Sequence, residues 1–272
     1  MKKHLSTILL ILVFLAGLCL LLYPTFSDYW NSFHQSRAIA SYAEMIQSID
    51  DDRYDILLNE AYAYNRDLAQ QPFNLMLSEP RMEKYNSVLD ITGTGIMAYI
   101  EIPTIKCSLP IYHGTDDSVL QIAIGHIAGT SLPVGGESTH CVLSGHRGLP
   151  SARLFTDIDK LTIGDTFMIR TLDETLTYEI DRILIVLPSE VEDLAIVEGE
   201  DLCTLVTCTP YGVNSHRLLV TGHRVDTVNK VQIRVTADAM QIEPMFVAPV
   251  VAAPMLLILL ILVLFEGRKK KK

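Results

Sequence analysis

Two uncharged apolar runs bracket this chain and leave few ways to fold it. Residues 5–22 follow Lys2 and Lys3, and residues 246–265 are closed by Arg268 and Lys269 to Lys272. As helices these runs cover roughly 27–30 Å, the thickness of a hydrocarbon core. Each is therefore expected to cross a membrane. A cleaved signal peptide is the rival for the first run, but Leu21-Leu22-Tyr23-Pro24 is no small-x-small cleavage site. A buried core helix is the rival for the second, and the basic cluster that ends it argues against that. Pro249 and Pro254 can kink the second span without forbidding it. Basic flanks stay on the cytoplasmic side. Both tails, residues 1–4 and 266–272, are thus expected inside, with everything between the spans on the outer face.

Charge narrows the function classes. The whole chain carries a formal −10, and residues 4–265 carry 15 Lys and Arg against 31 Asp and Glu, a formal −16. A nucleic-acid binder would present a basic face instead, so nucleic acid is excluded as a partner. Five cysteines, an odd number without a Cys-x-x-Cys pair, support neither a disulfide framework nor a zinc cage. No metal is expected.

Residues 23–90 read as a helical arm. Trp30, Phe33, Ala38, Tyr42, Met45, Ile46 and Ile49 recur at helical spacing. Asp50-Asp51-Asp52 then marks a junction, where one aspartate can cap a second helix through Ile56, Leu57, Ala61, Tyr64 and Leu68. Residues 71–89, with Pro72 and Pro80, read as a connecting loop with a helical turn. From Gly95 onward the pattern becomes short β-rich runs: 96–102, 109–112, 140–144, 166–171, 176–186, 202–208, 217–223 and 230–235. Eight short strands between Gly, Pro and Asp turns make a mainly β barrel or sandwich, and the missing βαβ rhythm argues against a Rossmann-type fold. The glycine-rich stretch 125–136 lacks the Lys-Ser/Thr pair of a phosphate cradle and is expected to be a loop.

One constellation can do chemistry. Pro210 stops the strand ending in Cys208, a loop follows, and the strand through Arg217 returns antiparallel. That pairing places Cys208 opposite Arg217, where a permanent cation favours a thiolate. Ser144-Gly145-His146-Arg147-Gly148 sets an imidazole at another strand end. Cysteine as nucleophile, histidine as acid and base, and arginine as oxyanion donor would form an acyl-transfer site. The other thiols, Cys107, Cys141 and Cys203, read as core residues. His113, His126, His140 and His223 read as satisfied polar groups, His126 within a loop. His216 should face away from Arg217. Arg147 and Arg224 read as surface or positioning charges.

Thr204-Leu-Val-Thr-Cys208, the arginine nine residues later, the upstream Gly-His-Arg-Gly, Gly129-Thr-Ser-Leu-Pro133 and Gly135-Gly136 together resemble the sortases, cysteine transpeptidases of Gram-positive cell surfaces. The resemblance covers about residues 96–235. With two spans and a helical arm, it points to the class C, pilus-assembling branch. It implies an eight-stranded sortase-like barrel over 91–238, flanked by the arm, a connector at 239–245 and the two membrane helices. It also implies that Cys208 attacks an LPXTG-type sorting signal to give a thioacyl enzyme, which a pilin lysine resolves as an isopeptide bond. His146 would shuttle the proton, Arg217 would hold the oxyanion, and Thr207 would support that oxyanion. No cofactor is implied. The partners are pilin subunits and the lipid bilayer. A class C lid with an Asp-Pro-aromatic motif is only half matched: Gln71-Pro72-Phe73 lacks the acid and Glu79-Pro80-Arg81 lacks the ring. The site is therefore expected to be weakly closed or open. Competing readings are a sortase that attaches proteins to peptidoglycan, an L,D-transpeptidase-like enzyme whose residue order fits poorly, and a non-catalytic two-span scaffold.

Overall fold

The computed structural model describes residues 2–227. The strand expected at 230–235, the connector at 239–245, the span at 246–265 and the tail at 266–272 lie outside the described residues. The chain divides into two units with a boundary between Trp30 and Asn31. In the first, the helix α1 (Lys2–Gln47) begins. Its apolar window has a mean hydropathy of 2.6 with no residue buried, long and apolar enough to cross a membrane.

In the second unit, α1 runs on to Gln47 and α2 (Asp51–Ala69) follows. Asp50 is the cap foreseen at the acidic junction, its carboxylate accepting from the Arg53 amide at 2.8 Å. This satisfies one of the orphan amides of the first turn. The expected apolar stripe of α1 is used only in part: Tyr42 is buried and Ile46 and Ile49 pack on the core, while Phe33 and Met45 stay exposed. Residues 71–78 form a loop, and the helical turn foreseen after it is α3 (Glu79–Ser87), with Pro80 in its first turn where no amide is needed.

Eight strands close into a barrel: β1 (Ile96–Ile102), β2 (Cys107–His113), β3 (Ile124–His126), β4 (Thr139–Ser144), β5 (Thr166–Thr171), β6 (Glu174–Val186), β7 (Asp201–Thr209) and β8 (His216–Val225). Their order around the ring is β1-β2-β3-β4-β7-β8-β6-β5, with β5 pairing back onto β1. Seven of these eight strands were expected, and the eighth expected run, 230–235, lies outside the described residues. The stretch expected to be a loop supplies β3, which pairs parallel with β2 and antiparallel with β4. Three residues are too short to display a period of two. Gly125 is required there, because a Cβ would come within 2.2 Å of the Gly114 carbonyl oxygen.

The barrel interior is filled by alternate residues such as Ile100, Leu143, Phe167, Leu205 and Val220. Leu57, Ala61 and Tyr64 of α2 and Tyr85 of α3 extend this core over one end of the barrel. A second, smaller cluster lies on the outer wall: Val142 of β4, Val206 of β7 and Leu219 of β8 are covered by Leu194 from the β6–β7 connection. Strand alternation separates the two clusters.

Candidate active site

The two ends of the barrel are chemically different. At one end β4 and β7 begin and α2 and α3 are anchored. At the other, β4, β7 and β8 carry the three residues singled out from the sequence. Parallel pairing of β4 with β7 runs from Thr139↔Asp201 to Ser144↔Val206. Beyond it, the Gly145 amide still donates to the Val206 carbonyl at 3.1 Å, and the Thr207 hydroxyl donates to the Gly145 carbonyl at 2.7 Å. The register therefore carries His146, two residues past Ser144, level with Cys208, two residues past Val206. On the other side of β7, Cys208 is directly opposite Arg217 in the antiparallel ladder with β8.

Parity sets the face. Cys203 and Leu205 point into the core, while Val206 belongs to the outer cluster, so Cys208 is on the outer wall. The same count puts Arg217 outside with Leu219. His216 takes the opposite side of β8, where its Nδ1 meets the Ser215 hydroxyl at 2.9 Å. Cys208, His146 and Arg217 are all partly accessible. They stand at one end of a wall whose continuation is the apolar cluster of Val142, Val206 and Leu219. The Arg217 guanidinium donates to the Asn214 and His216 carbonyls at 3.3 and 3.1 Å. With five donors in a fixed fork, it keeps others for a ligand.

The loop carrying His146 is held from several sides. The Phe155 amide donates to the His146 carbonyl at 3.1 Å, and the Gly148 amide to the Thr156 hydroxyl at 3.1 Å. A Cβ on Gly145 would come within 2.5 Å of Ile124 Cδ1 and 2.7 Å of the Phe155 ring. That glycine thus serves interior packing rather than substrate access. Arg147, taken from the sequence as a surface or positioning charge, is largely buried. It pairs with Asp159, donates to the Thr209 hydroxyl at 3.3 Å and stacks over the Tyr211 ring at 5.9 Å. It clamps the histidine loop to the end of β7 and to the β7–β8 loop. Sequence reasoning undervalued it because its partners are 12, 62 and 64 residues away.

Two expectations meet a different geometry. The Thr207 hydroxyl, foreseen as an oxyanion support, commits its single proton to Gly145 and faces inward, buried. The lid candidates Gln71, Pro72 and Phe73 line a cavity of about 380 Å³ with Gly129, Ser138, Ala195 and Glu198. Ser138 immediately precedes β4, and the Glu200 carbonyl accepts from the Thr139 amide. This cavity is therefore at the starting end of β4 and β7, about 23 Å from Cys208 at ~3.3 Å per strand residue. Glu79 and Pro80 open α3, whose Tyr85 reaches His126 and the Gly114 amide at 3.0 and 2.9 Å, again at that far end. The segment does not cap the thiol.

The remaining histidines and thiols are structural. His126 lies in β3, not a loop, and is fully buried between Tyr85 and the Ser131 carbonyl. His140 bridges the Ala195 carbonyl at 2.9 Å and the Thr204 hydroxyl at 2.7 Å. Cys141 and Cys203 pair across β4 and β7 inside the barrel, and burial pushes the Cys203 thiol well above its ordinary value. Among the described residues, no group of three or more His, Cys, Asp or Glu side chains could hold a metal ion.

The family model of the Sortase domain matches residues 100–225. The crystal structure of sortase C1 from Streptococcus agalactiae is 51% identical, covering 70% of this chain and 98% of that one at a TM-score of 0.69. The chain belongs to the sortase family. This sortase is accordingly a cysteine transpeptidase. The sortase C structure from Streptococcus pneumoniae is 40% identical over 70% of this chain and 97% of that one, with a TM-score of 0.63. Sortase D of Bacillus subtilis (strain 168) is 31% identical over 129 residues, 46% of this sortase. The match spans 62% of that relative's length.

Proposed function

We propose that this sortase polymerises pilin subunits from the outer face of the membrane. Cys208 Sγ attacks the carbonyl of the Thr–Gly bond in an LPXTG-type sorting signal. His146 protonates the departing glycine amine, which leaves with the signal's apolar tail, and a thioacyl enzyme remains. A pilin lysine amine then attacks the thioester, giving its proton to His146, and the products are an isopeptide bond and the restored thiol. Arg217 faces the oxyanion of both tetrahedral intermediates with donors that stay charged. Thr207 contributes by holding the Gly145–His146 backbone against β7. The outer-wall cluster of Val142, Val206 and Leu219 offers apolar contact for the leucine and proline of the signal. Anchoring by residues 5–22 and 246–265, with both tails cytoplasmic, puts the 91–238 domain where membrane-tethered precursors emerge.

The observation that carries this reading is the level placement of His146, Cys208 and Arg217 on one outer face across β4, β7 and β8. Likeness to sortase C enzymes, among them one described by its pilin substrate specificity, supports pilin as donor and acceptor. The test is intact-mass analysis of the detergent-solubilised chain with an LPXTG-type peptide. A covalent adduct lost in Cys208→Ala is expected. Binding without adduct or cleavage product would point instead to a scaffold. Sequencing the joined product then identifies the acceptor: a pilin lysine is expected, and a wall-peptide amine would replace polymerisation by wall attachment.

A further inference from the structure

We propose that Tyr211, in the β7–β8 loop, selects the amine that resolves the thioacyl enzyme, by offering its ring to the aliphatic stem of a lysine side chain. This inference rests on the acyl-transfer reading just given and adds a specificity residue to its second half. Tyr211 is three residues past Cys208 and 62% exposed, so most of the ring meets solvent. One side of it is nonetheless occupied. The Arg147 guanidinium is 5.9 Å from the ring centroid, and a Cβ on Gly148 would come within 2.8 Å of the ring's Cε2. Gly148 also has a φ of +77°, so the close approach of backbone and ring depends on glycine twice over. The loop beneath is preset as well. The Val213 and Asn214 amides donate to the Pro210 carbonyl at 3.1 and 3.0 Å, and the Arg217 guanidinium donates to the Asn214 carbonyl. A ring with two torsions, already seated, costs little further ordering when a ligand arrives.

Topology gives this ring its side of the reaction. In the proposed complex the leucine and proline of the signal contact Val142, Val206 and Leu219, which lie on the wall before Cys208. The acyl chain therefore covers the strand side of the sulfur. The departing glycine amine, and later the incoming amine, take the other side, past the last rung of the β7–β8 ladder, Thr209↔His216. Two segments border that space: residues 144–152, with His146, and residues 209–216.

Their chemistry narrows the ligand. Neither segment contains an Asp or Glu, and the Asp159 carboxylate that reaches this region is taken by Arg147. A lysine ammonium thus finds no free carboxylate on these segments, and Arg147 and Arg217 disfavour a further positive charge. The neutral amine is the form the step requires. Its nitrogen bonds to the thioester carbon, the carbon–sulfur bond breaks with the electron pair going to Sγ, and a proton of the nitrogen passes to His146. Methylene groups laid on the ring can steer that nitrogen without using its charge. Burial of one or two of them changes affinity roughly four- to fifteenfold.

The experiment separates the two half-reactions of the detergent-solubilised full chain. Thioacyl formation is read as tail release from an LPXTG-type peptide. Its resolution is read with N-acetyl-lysine amide, triglycine amide or hydroxylamine as the added amine. Tyr211→Ala should raise the half-saturating concentration of N-acetyl-lysine amide about fivefold and slow thioacyl formation by a smaller factor. Tyr211→Phe should restore the lower concentration, and Tyr211→Leu should lie between the two. Hydroxylamine, which has no stem, should show none of this discrimination. Equal losses with lysine amide and hydroxylamine would mean that the ring only braces the loop, and would overturn the proposal. An equal loss with triglycine amide, or no change with lysine amide, would overturn it too. Failure of the unaltered chain to release the tail would reject the acyl-transfer reading itself, and this inference with it. Normal tail release without any difference among the amines would reject the role of the ring alone.

Discussion

Cys208 and Arg217 are partners on one rung of the β7–β8 ladder, so the chemistry proposed for them depends on fork geometry as well as charge. Arg217→Lys keeps the charge but loses the planar set of donors, and about a 10²–10³-fold loss of kcat is expected if an oxyanion donor is removed. Steady-state kinetics on the peptide, with KM little changed, checks this. Thr207 makes a subtler case. Thr207→Val removes the bond to the Gly145 carbonyl and lets the histidine loop drift, for which a 10–100-fold rate loss is about the size expected. Thr207→Ser should restore the rate; failure of that rescue would show that the methyl group, not the hydroxyl, matters. His140 supplies a pH dependence of stability. Burial, opposed by the bond to Ala195, holds its pKa below the ordinary value, with Arg182 adding to the lowering. The folded form therefore takes up a proton less readily than the unfolded chain. Stability should be complete above the unfolded value of about 6.5 and fall as pH drops below it. Thermal unfolding from pH 8 to pH 5 tests the sign, and His140→Gln should flatten part of the fall.

At the scale of elements, the arm is joined to the barrel by a few buried polar bonds. Asn65 of α2 is buried, donates to the Leu132 carbonyl at 3.1 Å and accepts from the Leu132 amide at 2.7 Å. Asn65→Ala strands both backbone groups, at an expected cost of about 2–4 kcal/mol. Asp50→Ala, by contrast, removes only a cap and should cost about 1 kcal/mol. Denaturant unfolding of the two variants should preserve that ranking. Much of this level was legible beforehand. The acidic junction announced the cap of α2, and runs of β-branched residues located seven of the eight strands. β3 escaped because Ile124–His126 is defined by partners on both sides rather than by a pattern of its own. Lone backbone groups paired by distant strands leave no local trace.

At the scale of the molecule, α2 and α3 sit at the end of the barrel opposite the thiol, while Asn31 and Gln35 of α1 bond to Ser151 and Ile122 at the thiol's own end. The segment around Phe73 packs near Gly129 and Glu198, so the site is open without any lid movement. Phe73→Ala and Glu79→Ala should therefore leave cleavage of a soluble peptide unchanged. A strong rise in either would mean that this segment reaches Cys208 in solution.

The amino-acid order alone determined the β class, the apolar runs and the capped arm, and it singled out Cys208, His146 and Arg217 as candidates, because each rests on residues near in sequence or on side-chain chemistry. Only tertiary structure decided that β4 lies parallel beside β7, that Thr207 turns inward, that Arg147 clamps the histidine loop and that residues 71–73 stand at the far end. Those outcomes come from pairing and packing between segments tens of residues apart. There the deciding energy belongs to the assembled barrel, not to any stretch of chain read by itself.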